Sequence, residues 1–309
     1  MARKLYKYIG PDILDVAFSK DGFCGFKFSY PKDYNDPYEL FLTINFEDDS
    51  DIIAFYNEIV QEIPQHPTTC FSKSPIVTPM WAHYANNSEG FVIEVDEEKL
   101  KAFSKAVTID DVKYQDTPRE ELSLTLQMAM YRGKPRDVMF LREGVRVAAY
   151  YTKNTCWSYE LERRVVVTES EVTPVAGSMI MYIPTECVTS IIAGPRTKPE
   201  YLEKGQLLSD KIGSTYYSAK VGRSVAKPYF LDSKNNTYIF NDEQIESSPF
   251  ACMSCKEPVA IDKSQCSWCS ISEHQRRTAA GKNPLRALAE AGILDGYIKG
   301  FYSIGEKQN

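Results

Sequence analysis

Apolar and polar positions alternate with a period of two from Leu5 to Ile9 and from Phe23 to Tyr30, the spacing of two strands. Between them Pro11 and Asp12 open a short helical stretch in which Ile13, Leu14, Val16, Ala17 and Phe18 supply a buried stripe, and Asp21-Gly22 turns the chain. A polar loop follows from Pro31 to Glu39, held in a turn-rich conformation by its two prolines and Asn35-Asp36-Pro37. Residues 51–63 read as a helix ended by Pro64 and Pro67, Thr69–Ser72 as a strand end, and Phe91–Asp96 as a strand. Helical periodicity returns over 96–107, 117–130, 137–151 and 198–209, with Thr117 and Glu120 at capping-box spacing. Strand patterns occupy 156–168, 178–183 and 188–193, and Gly194-Pro195 breaks the chain. Residues from about 225 to 250 read as a last strand and a linker. Strands and helices mixed in this order predict an α+β fold.

At 309 residues the chain suits one large domain with an appendage, and 43% hydrophobic residues supply a sizeable core. The net charge of −6 argues against a whole-surface attraction to nucleic acid or to an anionic membrane, although it leaves room for a local basic groove. No run approaches the roughly 18 apolar residues of a membrane span, and the N-terminus lacks the apolar core of a signal peptide. The expected location is cytoplasmic, where the eight cysteines stay reduced or bind metal.

The segment Met80-Trp81-Ala82-His83-Tyr84-Ala85 crowds two large aromatics and one of only three histidines into four positions. Two readings stand. It is a turn of amphipathic helix burying Trp81 and Tyr84, or it is a pocket wall that stacks on a planar ligand and offers it hydrogen bonds. His83 is correspondingly a ligand contact or a residue that only hydrogen-bonds the strand below.

The run from Trp157 to Val167 reads as a strand, and period-two alternation puts Glu160, Glu162 and Arg164 on one face. Two carboxylates so close repel each other, and burial is tolerable only with a cation, a hydrogen-bond network or a ligand. At a sheet edge the same pattern is a solvated charged face.

Cys252, Cys255, Cys266 and Cys269 form two Cys-x-x-Cys pairs separated by ten residues. Each pair can fold as a knuckle, and two knuckles complete a tetrahedral zinc site with no open position, hence a structural rather than catalytic zinc. The alternative is a pair of redox or unpaired motifs. The tail from 252 onward carries eight Lys/Arg against six Asp/Glu, a net of +2. It reads as a docking module for nucleic acid or protein, or as a lid on the main domain. The expected boundary places one domain at 1–235 and the zinc ribbon with its helices at 236–309.

The pieces Leu5 to Tyr8, Phe28 to Pro31, Asn35 to Glu39, Cys70 to Ser72, Met80 to Ala85 and Trp157 to Arg163 occur in an informative order. That order resembles a widespread prokaryotic family of unknown-function domains, whose hallmarks are a Tyr-Lys-Tyr start, an Asn-Asp-Pro-aromatic-Glu loop, a Met-Trp-x-His-Tyr-Ala segment and a Trp-x-x-Glu-x-Glu-x-Arg strand. The family often has a histidine where this chain has Ser88. The order of elements is in turn similar to the ADP-ribosyltransferases, including the DarT-like enzymes that modify nucleic acid. This resemblance implies an ADP-ribosyltransferase-like split β-sheet core with helical insertions, and a cleft that holds NAD as substrate.

By position, the resemblance makes Lys7 and Tyr8 first-strand contacts, lays Ser29, Tyr30, Tyr34 and Asn35 along the dinucleotide, and puts Ser72, Trp81 and Tyr84 at the ring pocket. Glu162, with Glu160 beside it and His83 nearby, is the catalytic group, Glu162 being favoured as the essential acid. A carboxylate about 4 Å from an oxocarbenium-like ribose is worth about 4 kcal/mol at an effective dielectric of 20, or about a thousandfold in rate. The expected function is therefore NAD-dependent mono-ADP-ribosyl transfer by a toxin or anti-phage effector. The expected acceptor is nucleic acid, RNA ahead of DNA, and an antitoxin or other inhibitory protein is the expected partner. Two other readings remain: a non-catalytic nucleotide- or nucleic-acid-binding sensor, and a metal-independent nuclease using His83 and Tyr84.

Overall fold

The structure, a computed structural model, describes residues 3–34, 36, 43–61 and 63–306. The chain forms two compact units, Met1–Ser247 and Ser248–Asn309. In the first unit the early strands are β1 (Lys4–Ile9), β2 (Phe23–Phe28), β3 (Thr68–Ser72), β4 (Phe91–Asp96) and β5 (Thr108–Asp111). The middle ones are β6 (Lys113–Tyr114), β7 (Thr152–Lys153), β8 (Glu162–Val166), β9 (Thr173–Val175) and β10 (Ser178–Pro184). The late ones are β11 (Val188–Ala193), β12 (Thr215–Val221), β13 (Pro228–Leu231), β14 (Thr237–Phe240) and β15 (Ile245–Ser247). Its helices are α1 (Ile13–Ala17), α2 (Ser50–Val60), α3 (Thr78–Tyr84), α4 (Glu97–Phe103), α5 (Glu120–Arg132), α6 (Pro135–Tyr151) and α7 (Pro199–Ile212). The second unit carries α8 (Glu273–Gly281), α9 (Pro284–Glu290) and α10 (Leu294–Glu306).

Ten strands form one sheet in the order β15-β14-β13-β12-β11-β4-β1-β3-β8-β5, and β2, β10 and β9 form a second of three. The alternation in β1 explains the layering. Leu5 and Ile9 pack with Phe26 and Phe28 of β2, Met181 and Ile183 of β10, and Leu14 of α1. Tyr6 and Tyr8 join the other face, with Met80 and Trp81 of α3. A separate core of Ile44, Tyr56, Leu122, Leu126, Leu141 and Val145 binds the α5–α6 hairpin to α2, the helical insertion of an α+β unit.

Several sequence expectations shift. The domain boundary moves from 235 to 247, because β14 and β15 add to the sheet edge through antiparallel pairing with β13 and with each other. The helix expected to 107 ends at Phe103, where Ser104 turns extended and its hydroxyl donates to Glu171. The capping box at Thr117 does not form: α5 begins at Glu120, and the Thr117 carbonyl instead accepts from the Gln115 side chain. Helix α1 has only five residues, so it buries Leu14 and Ala17 while Ile13 and Val16 are exposed. No helix among the described residues is long and apolar enough to cross a membrane.

Gly90 shows how closely the central strands approach. A Cβ there would lie 2.1 Å from the Ile9 carbonyl oxygen, a backbone atom that cannot swing aside. The Gly90 carbonyl itself accepts from the Gly194 amide and the Thr197 hydroxyl. Gly90→Ala is therefore expected to destabilise the first unit by about 3 kcal/mol, the upper range of overpacking, read as a lower urea midpoint at unchanged slope. An unchanged midpoint would show that this backbone approach is not tight.

Candidate functional site

β1 pairs with β4 along its whole length, from Lys4↔Asp96 to Ile9↔Phe91, but with β3 only at Tyr6↔Ser72. β3 is registered instead with β8, from Thr68↔Val166 to Ser72↔Glu162. Beyond Tyr6 the two halves of the sheet part, and Lys7 spans the gap by donating to Thr69 Oγ1 and to the Cys70 carbonyl, both at 2.8 Å. A cavity of about 540 Å³ occupies the opening, with Lys7 and Tyr8 on one wall and Thr69 and Cys70 on the other. That size lies within the usual range for small-molecule sites. On β2, burial of Phe26 and Phe28 turns Lys27 and Ser29 the other way, and both line the cavity.

The acid pair arrives by a different route from the one its sequence predicts. Residues Thr155–Glu160 form a 3-10 turn rather than a strand, started by the Asn154 side chain accepting from the Cys156 amide. Leu161 then adopts φ +48°, a left-handed conformation uncommon for a branched residue, and β8 starts only at Glu162. Simple alternation therefore does not place Glu160 and Glu162 together; the turn does. Lys153 Nζ donates to Glu160 Oε2 at 2.7 Å and to Glu162 Oε2 at 3.2 Å. The Tyr84 hydroxyl donates to Glu160 Oε1 at 2.6 Å, and Arg164 Nε donates to Glu162 Oε1 at 2.7 Å. Behind them the Glu162 amide donates to the Tyr114 hydroxyl at 2.7 Å.

Electrostatics separates the two acids. Glu160 is 4% exposed and Glu162 1%. Burial opposes the Glu162 charge, but Arg164 and Lys153 outweigh it and hold this carboxyl well below the ordinary glutamate range. Burial pushes the Glu160 carboxyl up, and Lys153 and the Tyr84 hydroxyl offset this only in part. Burial works against the Lys153 ammonium, yet Glu162 and Glu160 keep it firmly protonated. Burial also pulls the Lys7 ammonium down, and with help from Glu162 it pushes the Cys70 thiol up to about 12. The cleft thus holds a charged acid, a more easily protonated one, and at least two cations.

Of the residues singled out in the sequence, Lys7, Tyr8, Ser29, Tyr34, Tyr84, Glu160 and Glu162 converge on this cavity. The Tyr8 hydroxyl is occupied elsewhere, donating to the Ser74 carbonyl at 2.9 Å. Trp81 is core, 3% exposed, with Nε1 donating to the Pro75 carbonyl and its ring edge-on to Tyr8 at 5.2 Å. Ser72 is buried, and its hydroxyl accepts from the Ser74 amide. Tyr30 pairs with Glu169, and neither Tyr30 nor Ser72 lines the cavity. His83 is exposed, its Nδ1 3.2 Å from the Tyr159 hydroxyl, and it too is not a lining residue. Its ring lies edge-on to that of Tyr84, with centroids 6.2 Å apart. Asn35 lies outside the described residues. Helix α3 buries Trp81 in the core, as the amphipathic reading expects, but leaves Tyr84 half-buried at the cavity.

Sequence reasoning missed Lys153, Lys27 and Thr69. A lysine two residues after the buried helix end Tyr150-Tyr151, seven residues before an acid, was the available signal for Lys153, since a long cationic side chain there has no polar face of its own helix to occupy.

In the second unit Cys252, Cys255, Cys266 and Cys269 lie close together in a cluster that could hold a metal ion. Their sulfur atoms all lie within 4.8 Å of one another, and Cys255 and Cys266 Sγ are 3.7 Å apart. Tetrahedral zinc with bonds near 2.3 Å needs sulfurs about 3.8 Å apart, so the set fits zinc. The knuckle backbone agrees: Lys256 takes φ +65°, its amide donates to the Cys252 carbonyl, and the Cys269 amide donates to Cys266 Sγ at 3.4 Å. The four thiols could hold a zinc ion with no position left for substrate.

Residues 80–165 match the model of a family described as Protein of unknown function (DUF2971). The matched segment contains Tyr84, Lys153, Glu160, Glu162 and Arg164, so the acid pair and its bonded partners fall inside it. No curated protein and no solved structure matches the chain.

Proposed function

We propose that the cleft binds NAD and that the chain transfers ADP-ribose from it to an acceptor, nucleic acid being the preferred class and RNA ahead of DNA. One observation carries the reading: two buried carboxylates, Glu160 and Glu162, line the same cavity as Lys7, Tyr34 and Tyr84. When the bond between nicotinamide and ribose breaks, the electron pair leaves with nicotinamide and positive charge develops on the sugar. A carboxylate fixed beside that sugar lowers the barrier, and it works best in a site closed to water. Lys7 and Lys27 supply positive charge for the phosphates. Tyr34 and Tyr84 offer ring faces for stacking, and Ser29 a hydroxyl. The acceptor then bonds to the sugar carbon and gives up its proton. The net +2 of the tail from Cys252 onward supports a nucleic-acid acceptor over a protein one. An enzyme of this kind fits a toxin or anti-phage effector, kept in check by an inhibitory protein.

A second reading has its own support. Every oxygen of the acid pair already accepts a bond, from Tyr84, Lys153 or Arg164. A network so complete suits a rigid wall that binds a nucleotide without turning it over, as in a sensor or adaptor. Incubation with adenylate-labelled NAD and total RNA, DNA or lysate separates the two. The transferase reading expects label in a macromolecular fraction, reduced at least a hundredfold in Glu162→Gln if that acid acts in the transition state. Tight NAD binding with neither label transfer nor nicotinamide release assigns the cleft to the sensor.

A further inference from the structure

We propose that Lys153 is the positioning residue of the acid pair: one ammonium, shared between Glu160 and Glu162, fixes the two carboxylates side by side on the cleft wall. Its catalytic consequence rests on the transferase reading, while the positioning itself does not.

The backbone of Lys153 is anchored first. Helix α6 ends at Tyr151, and β7 runs beside β6 with Lys113 opposite Thr152 and Tyr114 opposite Lys153. From there the side chain crosses to the start of β8, with the Trp157 ring 4.8 Å from its ammonium. The ammonium meets Oε2 of both acids, leaving Oε1 of each to Tyr84 and Arg164 respectively. Two like charges that would push each other off the wall are thus held by one point charge between them. A lysine suits this place because an ammonium can direct separate protons at two acceptors, whereas the planar fork of arginine favours a single carboxylate.

The other titratable groups around the pair are Lys7 from β1, Tyr34 after β2, Cys70 from β3, Tyr84 from α3, Tyr114 from β6, Tyr159 from the 3-10 turn and Arg164 from β8. Among the described ion pairs Lys153 is the one cation bonded to both acids; Arg164 is paired with Glu162. Without Lys153 the two carboxylates lose their common counterion, both hold protons to higher pH, and their spacing is no longer set.

Lys153→Met and Lys153→Arg in the full chain test this. In carbon-13 NMR titration of labelled glutamate side chains, without any ligand, the Glu162 carboxyl is expected to titrate at least one pH unit higher in Lys153→Met than in wild type. Lys153→Arg keeps the charge and should hold it low. In nicotinamide release from NAD, kcat is expected to fall about a hundredfold in Lys153→Met, the scale of a small misplacement at a reacting centre, with KM little changed and the acid limb of the pH profile displaced upward. Lys153→Arg should lose about tenfold in kcat, with KM little changed, from geometry alone. Wild-type glutamate titration in Lys153→Met overturns the proposal. Should Lys153→Met fail to fold, Lys153→Arg decides, and a wild-type kcat and pH profile there overturns it. If wild type releases no nicotinamide at all, the transferase reading falls, and the glutamate titration still settles the role of Lys153.

Discussion

Removal of metal from the four-cysteine cluster is expected to unfold the second unit and leave the first intact. The reason is the near absence of a core. Among the described residues of this unit, those buried are Cys252 and Cys266, both in the cluster, together with Glu257. Helices α8 and α9 bury no residue, and Leu285, Ile293, Tyr297 and Phe301 remain exposed. Helices of this length are marginal by themselves, even with the capping box of Ser272 and Gln275 at the start of α8. Structural zinc contributes about 10–16 kcal/mol in small cysteine modules, more than any other interaction within this unit can supply. Addition of a zinc chelator, or Cys252→Ser or Cys266→Ser, should therefore open residues 248–309 to protease and change Trp268 fluorescence, while circular dichroism of the first unit persists. One bound zinc per chain, measured on the purified protein, is the companion expectation. A second unit that stays protease-resistant after complete chelation would mean that something other than metal holds it.

Glu162→Gln is expected to have the largest effect within the first unit, on stability and on turnover alike. The carboxylate is 1% exposed and ion-paired with both Arg164 and Lys153. Breaking a buried pair by neutralising one partner costs about 3–5 kcal/mol, because the remaining charges stay buried without compensation. For a unit of this size that is roughly a 10 °C fall in melting temperature. The pH dependence carries a sign that can be checked. The unfolded chain protonates Glu162 near its ordinary value of 4.5, whereas the folded chain holds the proton off to lower pH. Its contribution is therefore complete above about pH 4.5 and is lost as pH falls below it, and Glu162→Gln should flatten that acid slope. Glu160 is shifted upward, so its own contribution has the opposite sign.

Turnover of Glu162→Gln, measured on protein shown to be folded below its lowered melting point, should drop about a thousandfold if the acid faces a developing sugar cation. Glu160→Gln is the useful control, because Glu162 keeps both of its cations in that variant. A folded Glu162→Gln with wild-type nicotinamide release would remove this acid from the chemistry and leave it a structural ion.

How much of this was legible in the chain depends on how local each cause is. The strands β1 and β4 followed from alternation, α6 from helical periodicity within two residues of its ends, and α7 within three. Local capping chemistry also starts α9, where the Asn283 side chain accepts from the Leu285 amide and Pro284 takes the first helical position. Glu160 was read on a strand and lies in a 3-10 turn, because the Asn154 cap and the left-handed Leu161 override the alternation that begins only at Glu162.

What the sequence alone determined are the features whose causes lie within a few residues: the mixed α+β pattern, the cysteine pairs with metal-ligand spacing, and the presence of two acids near the start of a late strand. Only the tertiary structure decided that β1 and β3 part after one residue pair, that Tyr84 meets Glu160 across 76 positions of chain, and that Lys153 turns inward to share its charge while His83 stays at the surface. Contacts between distant segments are set by packing of the whole sheet, and a buried charge is tolerable only where that packing delivers its partner. Local pattern can name such a charge, but it cannot place the counterion.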